Sequence, residues 1–169
     1  MKPTADILGY IVALLCLIGT QFPERWQMLV NQIVVNTLAG ISVFMITGIS
    51  SAGILNFVAV IHILFSLEHC VKNKKVSITK TIIFTIAYLL CGIFGFKEEL
   101  DILPIAASML FMCNVISKKE QRMRLFSLAN VIIYIIYYII IGSTLVYAQI
   151  FSLISVLIAL FRYRKNSFC

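Results

Sequence analysis

The sequence predicts an all-α integral membrane protein with seven transmembrane helices, and three observations predict that class. First, the 169-residue chain is 61% hydrophobic and only 12% charged, with a mean hydropathy of +1.01, which is more apolar surface than a soluble domain buries. Second, its apolar segments approach the roughly 20 residues that a spanning helix needs, whereas barrel strands alternate over about ten residues. Third, its basic residues gather in alternate loops, as in membrane proteins of fixed orientation.

The seven predicted helices follow one another with short polar connections. The first begins at Thr4 and lacks the basic start and the cleavage site of a signal peptide, so we expect a retained span. The loops and tails are too short for a soluble domain, so we expect any function to lie within the membrane or at its faces. The predicted spans are 4–22, 28–47, 50–71, 79–96, 101–117, 124–141 and 144–162.

The distribution of basic residues predicts the orientation of the chain. With seven spans, the N-terminal side carries Lys2 and Lys97, and the opposite side carries the other 12 of the 14 lysines and arginines. Because basic residues stay in the cytoplasm, we expect the N-terminus outside and the C-terminus inside, with anionic lipids at the basic loops and no nucleic-acid partner. The 12 residues are Arg25, Lys72, Lys74, Lys75, Lys80, Lys118, Lys119, Arg122, Arg124, Arg162, Arg164 and Lys165.

An internal repeat is indicated on the two sides of the fourth span. Asp6 and Asp101 each open an Asp-Ile-Leu sequence 95 residues apart, and Asn36 and Asn130 lie 94 residues apart in the following helices. Whole-triplet repeats are typical of transporters, although short apolar segments also resemble each other by composition alone. The predicted organisation is a first three-helix repeat at 1–71, a linker helix with its loops at 72–100, and a second parallel repeat with a basic cytoplasmic tail at 101–169.

Some short motifs carry a resemblance to known families. With Gln27 after the first loop, the turn at Gly48 and the Ser-Ala-Gly-Ile-Leu-Asn sequence at 51–56, the chain resembles the YgjV-type bacterial inner-membrane proteins over nearly its whole length. That resemblance implies an inner-membrane location and no settled activity. In architecture the chain is similar to the SWEET and PQ-loop carriers, which implies two three-helix units that rock against each other. It departs from them because Pro104 is its only mid-chain helical proline and no Pro-Gln pair occurs.

Polar side chains recur on single faces of several predicted helices. Such residues are costly within a membrane, and they usually face a cavity or each other. Amides that hydrogen-bond and tyrosines that pack would suit a small solute, either uncharged or zwitterionic. Packing between helices is the alternative, and we expect it for Thr20, Thr47 and Ser155. The predicted substrate-binding residues are Asn36, Asn56, Asn130, Tyr134, Gln149 and Ser152. Tyr137 and Tyr138 fit either a pocket or an interfacial belt.

His62 is the only residue deep within a predicted span whose side chain ordinarily changes charge near neutral pH. It could relay protons, since histidine gains and loses a proton between about pH 5 and 8, but a neutral histidine bonded to a neighbouring helix is the favoured interpretation. Asp6 and Asp101 fit helix starts better than a cation site. The five cysteines show no metal spacing, so we expect no metal and no cofactor. We also expect no enzymatic activity, because no reactive pair lies in the core.

The function that these observations favour is facilitative transport of a small polar solute by alternating access. The first, second, fifth and sixth helices would line the path. The alternative is a non-transporting accessory or immunity subunit that acts by helix–helix interaction, and a homo-oligomer is left open.

Overall fold

The apolar segments of the chain form α-helices, as expected. The computed structural model describes residues 2–72 and 78–163; Lys74, Lys75, Arg164, Lys165 and Cys169 lie outside these ranges. The described residues contain seven α-helices, one 3-10 turn at Glu99–Asp101 and no strand, so the predicted helical class is confirmed. The helices are α1 (Lys2–Gly19), α2 (Arg25–Thr47), α3 (Ser51–Val71), α4 (Ile78–Phe94), α5 (Ile102–Ile116), α6 (Glu120–Ile140) and α7 (Leu145–Arg162).

Five of these described segments are long and apolar enough to cross a membrane: α2, α3, α6, α7 and the stretch Glu99–Ile116 that joins the 3-10 turn to α5. The other two predicted spans are shorter apolar helices, at Thr4–Gly19 and Thr79–Phe94. α4 has 17 residues, which at 1.5 Å per residue is about 26 Å. That length falls slightly short of a hydrocarbon core of about 30 Å.

Three helix boundaries differ from the prediction by three residues or more. α1 ends at Gly19 rather than at Phe22, and α2 and α6 begin at Arg25 and Glu120, before the predicted starts at 28 and 124. At the end of α1, Gln21 N donates to Ile18 O over 3.0 Å, a tight turn that ends the helix before the last apolar residue, Phe22. The early starts have a different reason: the first turns of α2 and α6 are polar, and hydropathy registers only apolar residues.

Six of the helices form a closed ring. α1 packs on α2, α2 on α3, α3 on α5, α5 on α6, α6 on α7, and α7 returns to α1. α4 lies outside the ring against α3 and α5. The six-helix ring therefore surrounds a centre to which every ring helix presents one face.

Hydrogen bonds between connections define two ends of the bundle. At one end, which we call the N-terminal face, Ser51 N donates to Gly95 O over 3.1 Å, joining the α2–α3 turn to the end of α4. At the other end, which we call the basic face, Arg25 Nη2 donates to Val115 O over 2.8 Å, joining the start of α2 to the end of α5.

The α2–α3 and α6–α7 turns, both at the N-terminal face, share one backbone feature. Gly48 has φ of 67° and Gly142 has φ of 65°, a region that favours glycine because it has no Cβ atom. Glycine at these two positions therefore allows each helix pair to reverse direction within a few residues.

Candidate functional site

A cavity of about 110 Å³ lies at the centre of the ring, lined by residues from all seven helices. A single water needs roughly 10 to 15 Å³ by the same measure, so the space holds several waters or a small solute. Its polar lining is Thr20, Asn31, Gln32, Asn36, Asn56, Tyr88, Ser108, Ser127, Asn130, Tyr134, Tyr138, Gln149 and Ser152.

The structure brings the six predicted binding residues together at this cavity. Asn36 comes from α2, Asn56 from α3, Asn130 and Tyr134 from α6, and Gln149 and Ser152 from α7. α1 and α5 also contribute lining residues, as expected, and so does α4, which was expected to act only as a linker. His62 is not among the lining residues.

The three asparagines present the same group to the cavity. Asn36 Nδ2 donates to Gln32 O over 2.7 Å, and Asn56 Nδ2 donates to Ala52 O over 2.8 Å. Asn130 Nδ2 donates to Ala107 O of α5 over 2.7 Å. Each amide nitrogen is thus held by backbone, while no Oδ1 atom of the three has a partner within residues 2–72 and 78–163. The cavity therefore has three amide oxygens free to accept hydrogen bonds.

Other polar groups at the cavity also lack protein partners. The side chains of Gln149 and Ser152 and the hydroxyls of Tyr134 and Tyr138 make no hydrogen bond to any described residue. Gln32 Nε2 donates to Asn114 Oδ1 over 3.3 Å, but its Oε1 atom is buried without a partner in the described part of the chain. Because buried polar groups are normally hydrogen-bonded, these groups indicate water or a polar ligand in the cavity.

Aromatic rings form one wall of the cavity. The ring of Tyr134 stacks on that of Tyr138 with centroids 5.4 Å apart, and Tyr137 meets Tyr138 edge-on at 5.4 Å. Tyr137 and Tyr138 are both buried, so the interfacial belt considered for them is wrong. Tyr138 lines the cavity, while Tyr137 packs in the apolar cluster beside it.

Tyr88 is one of the cavity residues that sequence reasoning missed, together with Asn31 and Ser108. It lies on α4 and is fully buried, and its hydroxyl is 3.3 Å from His62 Nδ1. The signal that could have identified it is a single tyrosine within the apolar sequence of α4, because a buried phenol usually has a hydrogen-bond partner.

The cavity lining carries no formal charge. None of the described lining residues is Asp, Glu, Lys, Arg or His. A bound molecule would therefore be held by hydrogen bonds and ring contacts, because the lining offers no counter-ion to a charged group.

Two apolar clusters lie above and below the cavity. The cluster toward the N-terminal face includes Val43, Ala52 and Leu145. The cluster toward the basic face includes Leu29 and Met123. The cavity extends between these clusters toward the basic face, where Gly19 and Thr20 at the end of α1 and Met28 near the start of α2 line it.

Several polar residues pack between helices. Thr20 Oγ1 of the α1–α2 connection lies 2.6 Å from Ser155 Oγ of α7, which is the packing role expected for these two residues. Thr47 Oγ1 donates within α2 to Val43 O over 2.9 Å and lies 2.9 Å from Ser50 Oγ at the start of α3. Asp101 Oδ2 accepts from the backbone nitrogens of Lys97 and Glu98, over 2.8 and 3.2 Å. These contacts match the expected helix start at Asp101.

Comparison with known proteins places the chain in a family. No curated protein and no solved structure matches it. The family model that does match, described as a bacterial inner membrane protein, covers residues 4–167. The chain therefore belongs to the Imp-YgjV family of bacterial inner membrane proteins.

Proposed function

We propose that this protein transports a small uncharged polar solute across the inner membrane. The observation that carries the proposal is the central cavity, where amide oxygens and hydroxyl groups from α2, α3, α6 and α7 converge without a partner among the described residues. Groups that only hold helices together would bond to each other, as Ser51 and Asp101 do. The groups at the cavity instead face a shared space.

The proposed mechanism is alternating access between two three-helix units, α1–α3 and α5–α7, as in SWEET-like carriers. The order of helix contacts supports it. When each helix is exchanged for its counterpart, the contact of α1 with α2 maps onto α5 with α6, α2 with α3 onto α6 with α7, and α3 with α5 onto α7 with α1. The same exchange maps the α2–α3 turn onto the α6–α7 turn, and the glycines in these two turns, Gly48 and Gly142, both have positive φ angles.

The chemistry of the cavity favours an uncharged solute over a zwitterion. A zwitterion would bring two charges into a lining that has none, and burying an unpaired charge is costly. The oxygens of Asn36, Asn56 and Asn130 call for hydrogen-bond donors on the solute. The tyrosine rings would pack against its flat or apolar part.

The orientation and the energy source complete the proposal. The basic face would lie in the cytoplasm, because the described helix ends there carry Arg25, Lys72, Lys118 and Arg162. The sequence has no nucleotide-binding motif, which leaves downhill or ion-coupled movement. Downhill movement is favoured, because no described lining residue is a carboxylate that could bind a coupling ion. No enzymatic step is included, since the described lining combines Cys16 with no histidine or carboxylate.

The test is the thermal stability of the purified protein against sugars, amino acids, nucleosides and vitamins. A ligand that binds the folded state raises the melting temperature. We expect a shift from uncharged members of the panel, and its loss in Asn56→Ala. Thr37→Ala is the matched control, because Thr37 also donates to the carbonyl four residues earlier, over 2.8 Å, but does not line the cavity.

The results separate transport from the alternative function. A shift that Asn56→Ala loses and Thr37→Ala keeps would place the ligand at the cavity. No shift with any compound in a well-folded sample would contradict the proposal and favour an accessory subunit that acts by helix–helix interaction.

A further inference from the structure

His62 lies between the central cavity and the basic face. The side chain is 2% exposed, and its Nδ1 atom is 3.3 Å from the hydroxyl of Tyr88. Tyr88 lines the central cavity, so one hydroxyl separates the imidazole from the proposed solute site. The imidazole ring also stacks on Phe84, with centroids 4.3 Å apart.

A second, smaller cavity lies on the other side of this histidine. Its volume is about 10 Å³, which is close to the space that one water needs. His62, Ser66, His69 and Lys80 contribute to its lining, and His69 Nε2 lies 3.5 Å from Lys80 Nζ near the end of α3. His62 is thus placed between the solute site and a small space that leads toward the basic face.

The groups around His62 determine what a proton there would change. The ionisable neighbours are Tyr88 and Lys80 from α4 and His69 from α3, and no described carboxylate lines either cavity. A neutral Nδ1 accepts a hydrogen bond from the Tyr88 hydroxyl, whereas an imidazolium donates there. Protonation would therefore reverse this bond, and the Tyr88 O–H would turn elsewhere.

We propose that His62 binds a proton, and that this proton controls access to the central cavity. The inference rests on the proposed transport function. A buried imidazolium without an anionic partner needs water, and the nearest space for water is the second cavity. Its hydration would separate α3 from α4 at the basic face and shift Tyr88, which lines the central cavity. The proton comes from water at the basic face, and it returns to that water when the second cavity closes.

Cys16 provides a reporter, because this residue lines the central cavity. The experiment measures its rate of alkylation by N-ethylmaleimide in lipid nanodiscs, in a chain whose Cys70, Cys91, Cys113 and Cys169 are replaced by serine. Rates are measured between about pH 4.5 and pH 8.5. Dividing each rate by that of His62→Asn at the same pH removes the effect of thiol ionisation, because the asparagine cannot titrate.

We expect this ratio to change severalfold and sigmoidally with pH. His69→Asn, the matched control at the other histidine, should keep that profile, and Tyr88→Phe should flatten it. If His62→Asn does not fold, His62→Gln serves as the denominator.

A ratio that stays constant while Cys16 reacts would overturn this inference and leave the proposed transport function standing. A profile that His69→Asn abolishes would assign the proton to His69 and overturn it as well. No alkylation of Cys16 at any pH would contradict both the inference and a water-accessible cavity.

Discussion

The guanidinium of Arg124, in the second turn of α6, donates to the carbonyl oxygen of Phe22 just beyond the end of α1, over 3.2 Å. The same guanidinium donates to Thr20 O over 3.4 Å, and the ring of Tyr163 lies 4.4 Å from it. On the opposite side of the six-helix ring, Arg25 at the start of α2 donates to Val115 O near the end of α5. Each proposed unit therefore uses an arginine of its second helix to hold the end of the other unit's first helix.

The burial of Arg124 predicts a loss of stability when it is replaced. Arg124 is 2% exposed, and Arg124→Ala would leave the carbonyls at the end of α1 without their donor. Hydrogen bonds to charged groups contribute roughly 1.5 to 3 kcal/mol, so we expect about 2 kcal/mol lower unfolding free energy. Chemical denaturation in detergent measures the difference.

Arg122→Ala is the matched control, because Arg122 is exposed on the same helix. It should change the unfolding free energy by no more than about 0.5 kcal/mol. Arg124→Lys should recover only part of the loss, since lysine keeps the charge but not the planar set of donors. Equal stability of Arg124→Ala and Arg122→Ala would show that these contacts do not stabilise the fold.

Replacing Tyr88 by phenylalanine should weaken ligand binding without destabilising the fold. Tyr88→Phe removes the hydroxyl of a residue that lines the cavity and keeps the ring that packs against α3 and α5. We expect any ligand-induced rise in melting temperature to shrink, because the site loses one hydrogen-bonding group. The melting temperature without ligand should change little by comparison.

Tyr147→Phe controls for the loss of a tyrosine hydroxyl from a membrane helix. Tyr147 is exposed and stacks on Tyr10, with centroids 6.3 Å apart, so its variant should keep the full ligand shift. If Tyr88→Phe also kept the full shift, α4 would have no part in binding.

Hydropathy and helical spacing predicted the seven helices and the polar faces of α2, α6 and α7. Asn36 and Asn130 could be identified because an amide in a span needs a partner or a cavity. Tyr88 stands out as a polar ring in the apolar sequence of α4, but its place at the cavity could not be predicted, since one such residue does not reveal which way the helix is rotated. From the sequence, Arg124 could be recognised only as one of the basic residues near a loop. Its buried position could not be predicted, because its partners are carbonyls 102 and 104 residues earlier in the chain. Such contacts arise only when the ring closes.

Gly95 lies where the end of α4 meets the start of α3, and there is no space for a side chain at this position. A Cβ atom at this position would lie 2.6 Å from the backbone nitrogen and Cα of Ser51, and backbone atoms cannot move aside alone. We expect Gly95→Ala to lower the unfolding free energy by about 1 to 3 kcal/mol, the usual cost of overpacking. Gly92→Ala is the control: its Cβ would meet the Ile105 side chain at 2.7 Å, which can rotate. A cost for Gly92→Ala as large as for Gly95→Ala would contradict the close backbone approach.

The contacts at the two faces predict opposite changes in access to the cavity. Arg25 and Arg124 join the proposed units at the basic face, whereas the Ser51 hydroxyl joins them at the N-terminal face by donating to Asp101 Oδ1. In an alternating-access protein, weakening one set should favour opening at that face and leave the other face closed.

We therefore expect Arg25→Ala with Arg124→Ala to speed alkylation of Cys16 by a membrane-impermeant reagent applied to the basic face. Ser51→Ala should speed it from the N-terminal face. Sealed vesicles of each orientation measure the two rates, and Arg122→Ala gives the baseline. A bundle that only packs helices would loosen without preference, so equal acceleration from both faces in both variants would contradict two-sided gating.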